Sequence, residues 1–158
     1  MHQSIDSDSA FFLLLDIARM LRAEFEHGVR DAALGITPSE ARTLANIARF
    51  GPINQNDLAD LSGFGAMSAA RVLKSLEAAG LVSRSPDLYD RRAKMVQVTD
   101  KAEPLLAALK NIGDEVETIT RGNMSAQNWE FLQISLETAR DNNLRAYRNR
   151  RAAEKNLG

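Results

Sequence analysis

Residues 52–99 read PINQNDLADLSGFGAMSAARVLKSLEAAGLVSRSPDLYDRRAKMVQVT, and the punctuation inside this stretch sets the architecture. Asn54-Gln55-Asn56-Asp57 is a helix start, because short polar side chains can accept the unpaired N–H groups of a first turn. Leu58, Ala59 and Leu61 give that short helix its apolar positions. Ser62-Gly63-Phe64-Gly65 follows as a tight turn whose glycines can take positive φ. The spacing then predicts a helix from about Ala66 to Ala79, with Ala69, Val72, Leu73 and Leu76 facing inward and Gly80 as its stop. Leu81–Arg84 reads as a short strand, Pro86–Arg92 as a polar turn, and Met95–Val98 alternates as a second strand.

Upstream, Thr37-Pro38-Ser39-Glu40 is a strong helix start: a capping threonine, a proline at the first helical position and a glutamate that can reach back. Ala41, Leu44, Ala45, Ile47 and Ala48 carry that helix to Arg49, and Gly51-Pro52 ends it. Residues 9–30 form the first helix, with Phe11, Leu14, Leu15, Ala18, Leu21 and Phe25 at steps of three and four. Phe12, Leu13, Ile17 and Met20 widen its stripe, so burial on two sides is expected, one of them against a partner subunit. Downstream, Thr99 is expected to cap a helix that tolerates Pro104 in its first turns and runs to about Thr120. Gly122-Asn123 breaks it. Ser125 caps a last helix through Trp129, Leu132, Ile134, Leu136, Ala139, Leu144 and Tyr147, and Arg148-Asn149-Arg150-Arg151 reads as a frayed basic end.

Helix, short helix, glycine turn, helix and two-strand hairpin is the plan of a winged helix-turn-helix. The third helix of such a unit fits the major groove, about 12 Å wide, and the hairpin tip reaches neighbouring backbone or minor groove. The outward face of residues 66–79 holds Met67, Ser68, Arg71, Lys74 and Ser75. Ser68 can donate to a phosphate or base edge, and Arg71 can bond guanine or phosphate bidentately.

Composition agrees with this in distribution rather than in sum. The net charge of −1 argues against a polyanionic partner. Yet residues 66–101 hold seven basic side chains against four acidic ones, an excess of +3, while residues 1–65 hold five against nine. Zero cysteines excludes disulfides, thiolate metal sites and cysteine redox switching. His2 and His27, the only imidazoles, cannot make a His cluster, so no metal or other cofactor is expected. No apolar run of membrane-spanning length occurs, and the start Met1-His2-Gln3-Ser4 lacks the pattern of a signal peptide, so a cytoplasmic location is the default expectation. No nucleophile elbow, P-loop, HExxH or dinucleotide fingerprint is present, which leaves no enzyme to argue for.

Val72–Val82 (VLKSLEAAGLV) followed by Asp90–Thr99 (DRRAKMVQVT) resembles the MarR family of bacterial regulators, with Val98 where that family's wing usually has leucine. Asp90–Lys94 and Thr99–Leu105 most resemble its SlyA branch. The resemblance implies a mainly α fold with a small two-stranded β-wing: an N-terminal dimerisation helix (1–35), a winged helix-turn-helix (36–100) and C-terminal dimerisation helices (101–158). It implies a homodimer on double-stranded DNA, with an AT-rich pseudo-palindrome as operator. Met67, Ser68 and Arg71 would lie on the recognition helix against DNA, and Lys74, Ser75 and Lys94 are further candidates for DNA contact. Arg91 and Arg92 would sit at the wing tip, one of them in the minor groove, and Asp90 would orient an arginine rather than touch DNA. It further implies release by a small aromatic carboxylate or phenol acting on the spacing of the two recognition helices. Met67 and Ala70 depart from the polar residues common at their positions, which leaves base preference open.

Blander readings stand beside these. Arg91-Arg92 is a solvated turn if the surrounding pattern is ignored, and Lys74 and Lys94 serve solubility as readily as phosphate attraction. Asn54 and Gln55 are helix caps first. Trp129 and the Phe11/Phe12 pair read as dimer core, His27 as an exposed helix residue, and Arg145, Arg148, Arg150 and Arg151 as a solvated end. Three functional readings follow: a repressor, an activator or counter-silencer of the SlyA type, and a winged-helix module for protein contacts. The basic centre and the arginine wing favour the DNA binders.

Overall fold

The computed structural model describes residues 5–63 and 65–156, and of Lys155 only the backbone. His2, with the rest of the first four residues, and Phe64 of the expected turn lie outside the described residues. The chain runs α1 (Ala10–Asp31), α2 (Pro38–Phe50), β1 (Ile53–Asn54), α3 (Gln55–Ser62), α4 (Ala66–Ala78), β2 (Val82–Pro86), β3 (Lys94–Val98), a 3-10 turn (Asp100–Ala102), α5 (Glu103–Arg121) and α6 (Ala126–Asn156). Its internal contacts fall into two units that divide between Glu117 and Thr118.

In the first unit the local signals are used as the sequence predicts. Thr37 and Glu40 close a capping box at the start of α2: Glu40 N–H donates to Thr37 Oγ1 at 3.2 Å, and Thr37 N–H donates to Glu40 Oε2 at 2.7 Å. Asn54 caps α3 by accepting the Asn56 N–H at 2.8 Å. Gly63 takes φ +66° as the C-cap of α3, whereas Gly65 is extended (φ −62°) and serves as the N-cap of α4. Only the first of the two turn glycines therefore uses the left-handed freedom expected of both. At the end of α4, Gly80 (φ +74°) donates to Glu77 O at 2.9 Å and Leu81 N–H to Leu76 O at 2.9 Å, a Schellman closure that launches β2.

The sheet has three strands, not the two expected of the wing. β1 pairs antiparallel with the free edge of β3 (Ile53↔Val96, Asn54↔Met95), so the order is β1-β3-β2. Two residues have no detectable alternation, which is why β1 escapes a reading by period. The pairing fixes the wing hairpin to the start of α3. Thr99 does not cap the following helix with its side chain; its hydroxyl donates to Gly80 O at 2.6 Å and its N–H to Leu81 O at 3.0 Å. The core beneath is Leu44 and Ile47 of α2, Leu58 of α3, Leu73 and Leu76 of α4, and Val96 of β3, with Val29 of α1 and Leu109 and Ile112 of α5 closing it.

The C-terminal half of α1 belongs to this core, while its N-terminal half does not: Phe11, Leu13, Leu14, Leu15, Ile17 and Met20 are all exposed. Phe11 and Phe12 meet edge to face with centroids 5.1 Å apart. In the second unit α6 is preceded by Ser125, whose Oγ accepts the Asn128 N–H at 3.1 Å. It continues to Asn156, so residues 148–151 are helical rather than frayed. Phe131, Ile134, Leu136, Leu144 and Tyr147 are exposed along it, and Trp129 and Leu132 are half-buried. Among the described residues no helix is long and apolar enough to cross a membrane.

Candidate nucleic-acid interface

α4 presents two faces because its buried residues fall at three- and four-residue steps. Ala69, Leu73 and Leu76 enter the core, so the opposite side carries Met67, Arg71 and Lys74, all exposed. Met67 is 89% exposed at the first turn, where Ala66, Ala70 and the Gly65 cap add little bulk. Ser68 lies on the shoulder, half-buried. Ser75 is engaged: its Oγ donates to Glu40 Oε1 at 2.5 Å, tying α4 to the first turn of α2. Burial pushes the Glu40 carboxyl up, but the bonds from Ser75 and from the Thr37 backbone and side chain outweigh it and hold the carboxyl below its ordinary value.

The wing is held to this helix by Arg84 of β2. Its Nη1 donates to Gln55 Oε1 of α3 at 3.0 Å and its Nε lies 3.0 Å from Glu77 Oε2 of α4. One half-buried guanidinium thus joins three elements, with partners 29 and 7 positions away in sequence. Lys101 is also occupied, donating to Ala79 O at 2.8 Å at the end of α4. Two of the seven basic residues of the middle segment are therefore structural. No local pattern announces either, since the partners meet only in the folded unit.

The remaining five are Arg71 and Lys74 on α4 and Arg91, Arg92 and Lys94 on the wing. All are exposed, and among the described residues none has a carboxylate within 4.0 Å. The loop between β2 and β3 is closed by its own backbone: Asp87 N–H donates to Ala93 O at 3.1 Å and Ala93 N–H to Asp90 O at 3.0 Å. Asp87 Oδ1 accepts Tyr89 N–H at 2.8 Å, and Asp90 Oδ1 accepts Arg92 N–H at 2.9 Å. Asp90 thus orients an arginine through its backbone and not through its guanidinium. Both carboxylates bind the loop itself, which leaves the arginines uncompensated.

Leu88 and Tyr89 at the loop tip carry no periodic signal, yet they are 93% and 99% exposed. Two large apolar residues inside a turn of aspartates and arginines are the feature by which a sequence could single them out. Asn54 and Gln55 act as a cap and as the acceptor for Arg84. His27 is exposed and pairs with Asp31 at 3.1 Å. Among the described residues, no grouping of three His, Cys, Asp or Glu side chains could hold a metal ion.

This geometry has known counterparts. Residues 34–93 match the model described as the MarR family. A MarR transcriptional regulator from Methanosarcina mazei Go1 superposes with a TM-score of 0.70 at 24% identity, over 84% of this chain and 94% of that one. A point mutant of S. aureus MepR, bound to oligodeoxyribonucleotide, gives 0.52 at 22% identity, over 85% and 97%. Bordetella bronchiseptica BpsR, whose DNA binding is regulated by 6-hydroxynicotinic acid, gives 0.66 at 18% identity, over 89% and 99%.

Proposed function

We propose that this chain, built on a winged helix of the MarR family, is a sequence-specific DNA-binding transcriptional regulator that works as a homodimer. The observation that carries the reading is a set of five cations without carboxylate partners among the described residues, two on α4 and three on the wing. They stand in one unit whose helices and hairpin are joined by Arg84 and the Gly80 closure. A protein-binding module needs no such division of charge between a groove-sized helix and a hairpin. Met67, Ser68 and Arg71 face base edges in the major groove, and Lys74 and Lys94 face phosphates. Arg91 and Arg92 sit at the wing tip with one of them in the minor groove, favouring narrow A-tracts through potential and shape. Ser75, bonded to Glu40, sets the tilt of α4 rather than reading a base.

The dimer is supported by the apolar N-terminal half of α1 and the apolar side chains of α6, each left uncovered in the single chain. A second copy of the same surfaces is the usual cover. Two recognition helices then meet half-sites about one helical turn apart, so the operator is an AT-rich pseudo-palindrome. Occupying such a site blocks transcription where it overlaps a promoter; a SlyA-type activator or counter-silencer would use the same contacts at a different operator position. BpsR and its 6-hydroxynicotinic acid support a small aromatic effector that prefers a misfitting spacing of the two helices.

The test is selection from a pool of random duplexes with the purified full chain, followed by sequencing. The expected product is a two-fold symmetric, AT-rich consensus. Enrichment of no sequence, or of one without symmetry, would overturn the reading of a dimeric, sequence-specific regulator.

A further inference from the structure

We infer that Leu88 and Tyr89 form an uncharged wedge that enters the operator's minor groove beside Arg91 and Arg92, adding affinity and AT preference that do not depend on charge. The inference rests on the DNA-binding reading above and adds a second kind of contact to it.

Both side chains stand almost wholly in solvent, at 93% and 99% exposure. Their loop is not slack. Asp87 accepts the N–H of Tyr89 at 2.8 Å and that of Asp90 at 3.4 Å, and the Asp87–Ala93 and Ala93–Asp90 backbone bonds close the hairpin end. The tip is therefore preorganised to present two large side chains outward, which is costly for a surface that meets only water and useful for one that meets a partner.

The neighbours identify the partner. Arg91 and Arg92 follow close behind, and Lys94 stands at the foot of β3, all exposed and without carboxylate partners among the described residues. Asp87 and Asp90 flank the tip directly, but the Oδ1 of each accepts N–H groups of the loop itself, so three cations against two engaged carboxylates leave a net positive rim, which complements a minor groove whose phosphates flank a slot about 6 Å wide. Leucine is among the side chains that wedge between base steps from this groove. The phenol of Tyr89 can donate to the acceptors that every pair shows there, and the G·C pair alone adds a protruding amino group that an apolar side chain must avoid. The wedge thus discriminates against G·C by shape and the arginines by potential, two independent sources of one preference.

The two sources separate in salt. Binding of the full-length protein to its selected duplex is followed by fluorescence anisotropy across a salt series, for wild type, the Leu88→Ala/Tyr89→Ala double variant, Tyr89→Phe and Arg92→Ala. The double variant is expected to lose on the order of tenfold in affinity with its salt slope unchanged, since neither side chain neutralises a phosphate. Tyr89→Phe is expected to fall between it and wild type. Arg92→Ala is expected to flatten the slope by about 0.9. Replacing guanine by inosine at the steps under the wing removes the minor-groove amino group, and it should tighten wild type but not the double variant. Thermal unfolding should be the same for all four proteins, because these side chains are exposed. If the double variant binds like wild type at every salt concentration while wild type binds tightly, the wedge is wrong and the tip faces a protein instead. If wild type binds no duplex at all, the DNA reading falls and the wedge with it.

Discussion

Among single residues, Glu40 bears the most. Its carboxylate closes the α2 capping box with Thr37 and accepts the Ser75 hydroxyl of α4. The hydrogen bonds outweigh burial and lower its pKa from the ordinary 4.5. A carboxyl depressed by folding stabilises the native state above its unfolded pKa and loses that contribution as pH falls through its folded value. Stability should therefore decline below about pH 4.5, and Glu40→Gln should flatten that acid limb in urea-unfolding series run from neutral to acid pH. Thr37→Ala, which removes the cap but keeps Ser75 bonded, should cost about 1 kcal/mol at neutral pH. Arg84 is the second such residue. Arg84→Met leaves Gln55 and Glu77 without their shared partner, and because Glu77 is half exposed the expected loss is about 1 kcal/mol rather than the larger cost of a fully buried ion pair.

Among elements, the hairpin and α4 act together because a backbone closure at Gly80 and the Arg84 side chain both join them. Gly80→Ala forces a Cβ into a left-handed conformation at the joint where α4 hands over to β2, and should cost about 1 kcal/mol in chemical unfolding. DNA affinity should fall further than stability predicts, because the wing is displaced from α4. Thr37, Glu40, Asn54, Gly63, Gly80 and Ser125 act within a few residues of themselves, so their elements are legible in the residue pattern. β1 is not, because two residues carry no period and their partner β3 lies about 40 positions away. Nor is the helical extent of α6 past Tyr147, because Arg148-Asn149-Arg150-Arg151 offers no apolar stripe to mark it. The site divides the same way. Exposure of Arg71, Lys74, Arg91, Arg92 and Lys94 follows from helix phase and turn position, whereas the engagement of Ser75, Arg84 and Lys101 depends on partners that only folding supplies.

Across the whole molecule, charge and apolar surface are sorted along the chain. The near-neutral sum conceals a winged helix with five cations that have no carboxylate partner among the described residues, and the surplus of carboxylates sits elsewhere, chiefly in residues 1–65. The apolar half of α1 and the side chains of α6 remain uncovered in one copy, with Phe11 64% and Phe131 72% exposed. The proposed dimer accounts for such uncovered apolar surface. Ile17→Asp on α1 should shift the sedimenting species from dimer to monomer, and the loss of affinity for the full operator should far exceed the loss for a single half-site. Contact of α4 and the wing with DNA is best probed by the salt dependence of binding to the selected operator for wild type, Lys74→Ala and Arg92→Ala. The expected result is a steep slope for wild type, flattened by about 0.9 for each phosphate contact removed, with the two variants losing affinity while unfolding at the same temperature as wild type. A wild-type slope near zero, or variants that bind with unchanged affinity and slope, would contradict DNA contact by these two elements.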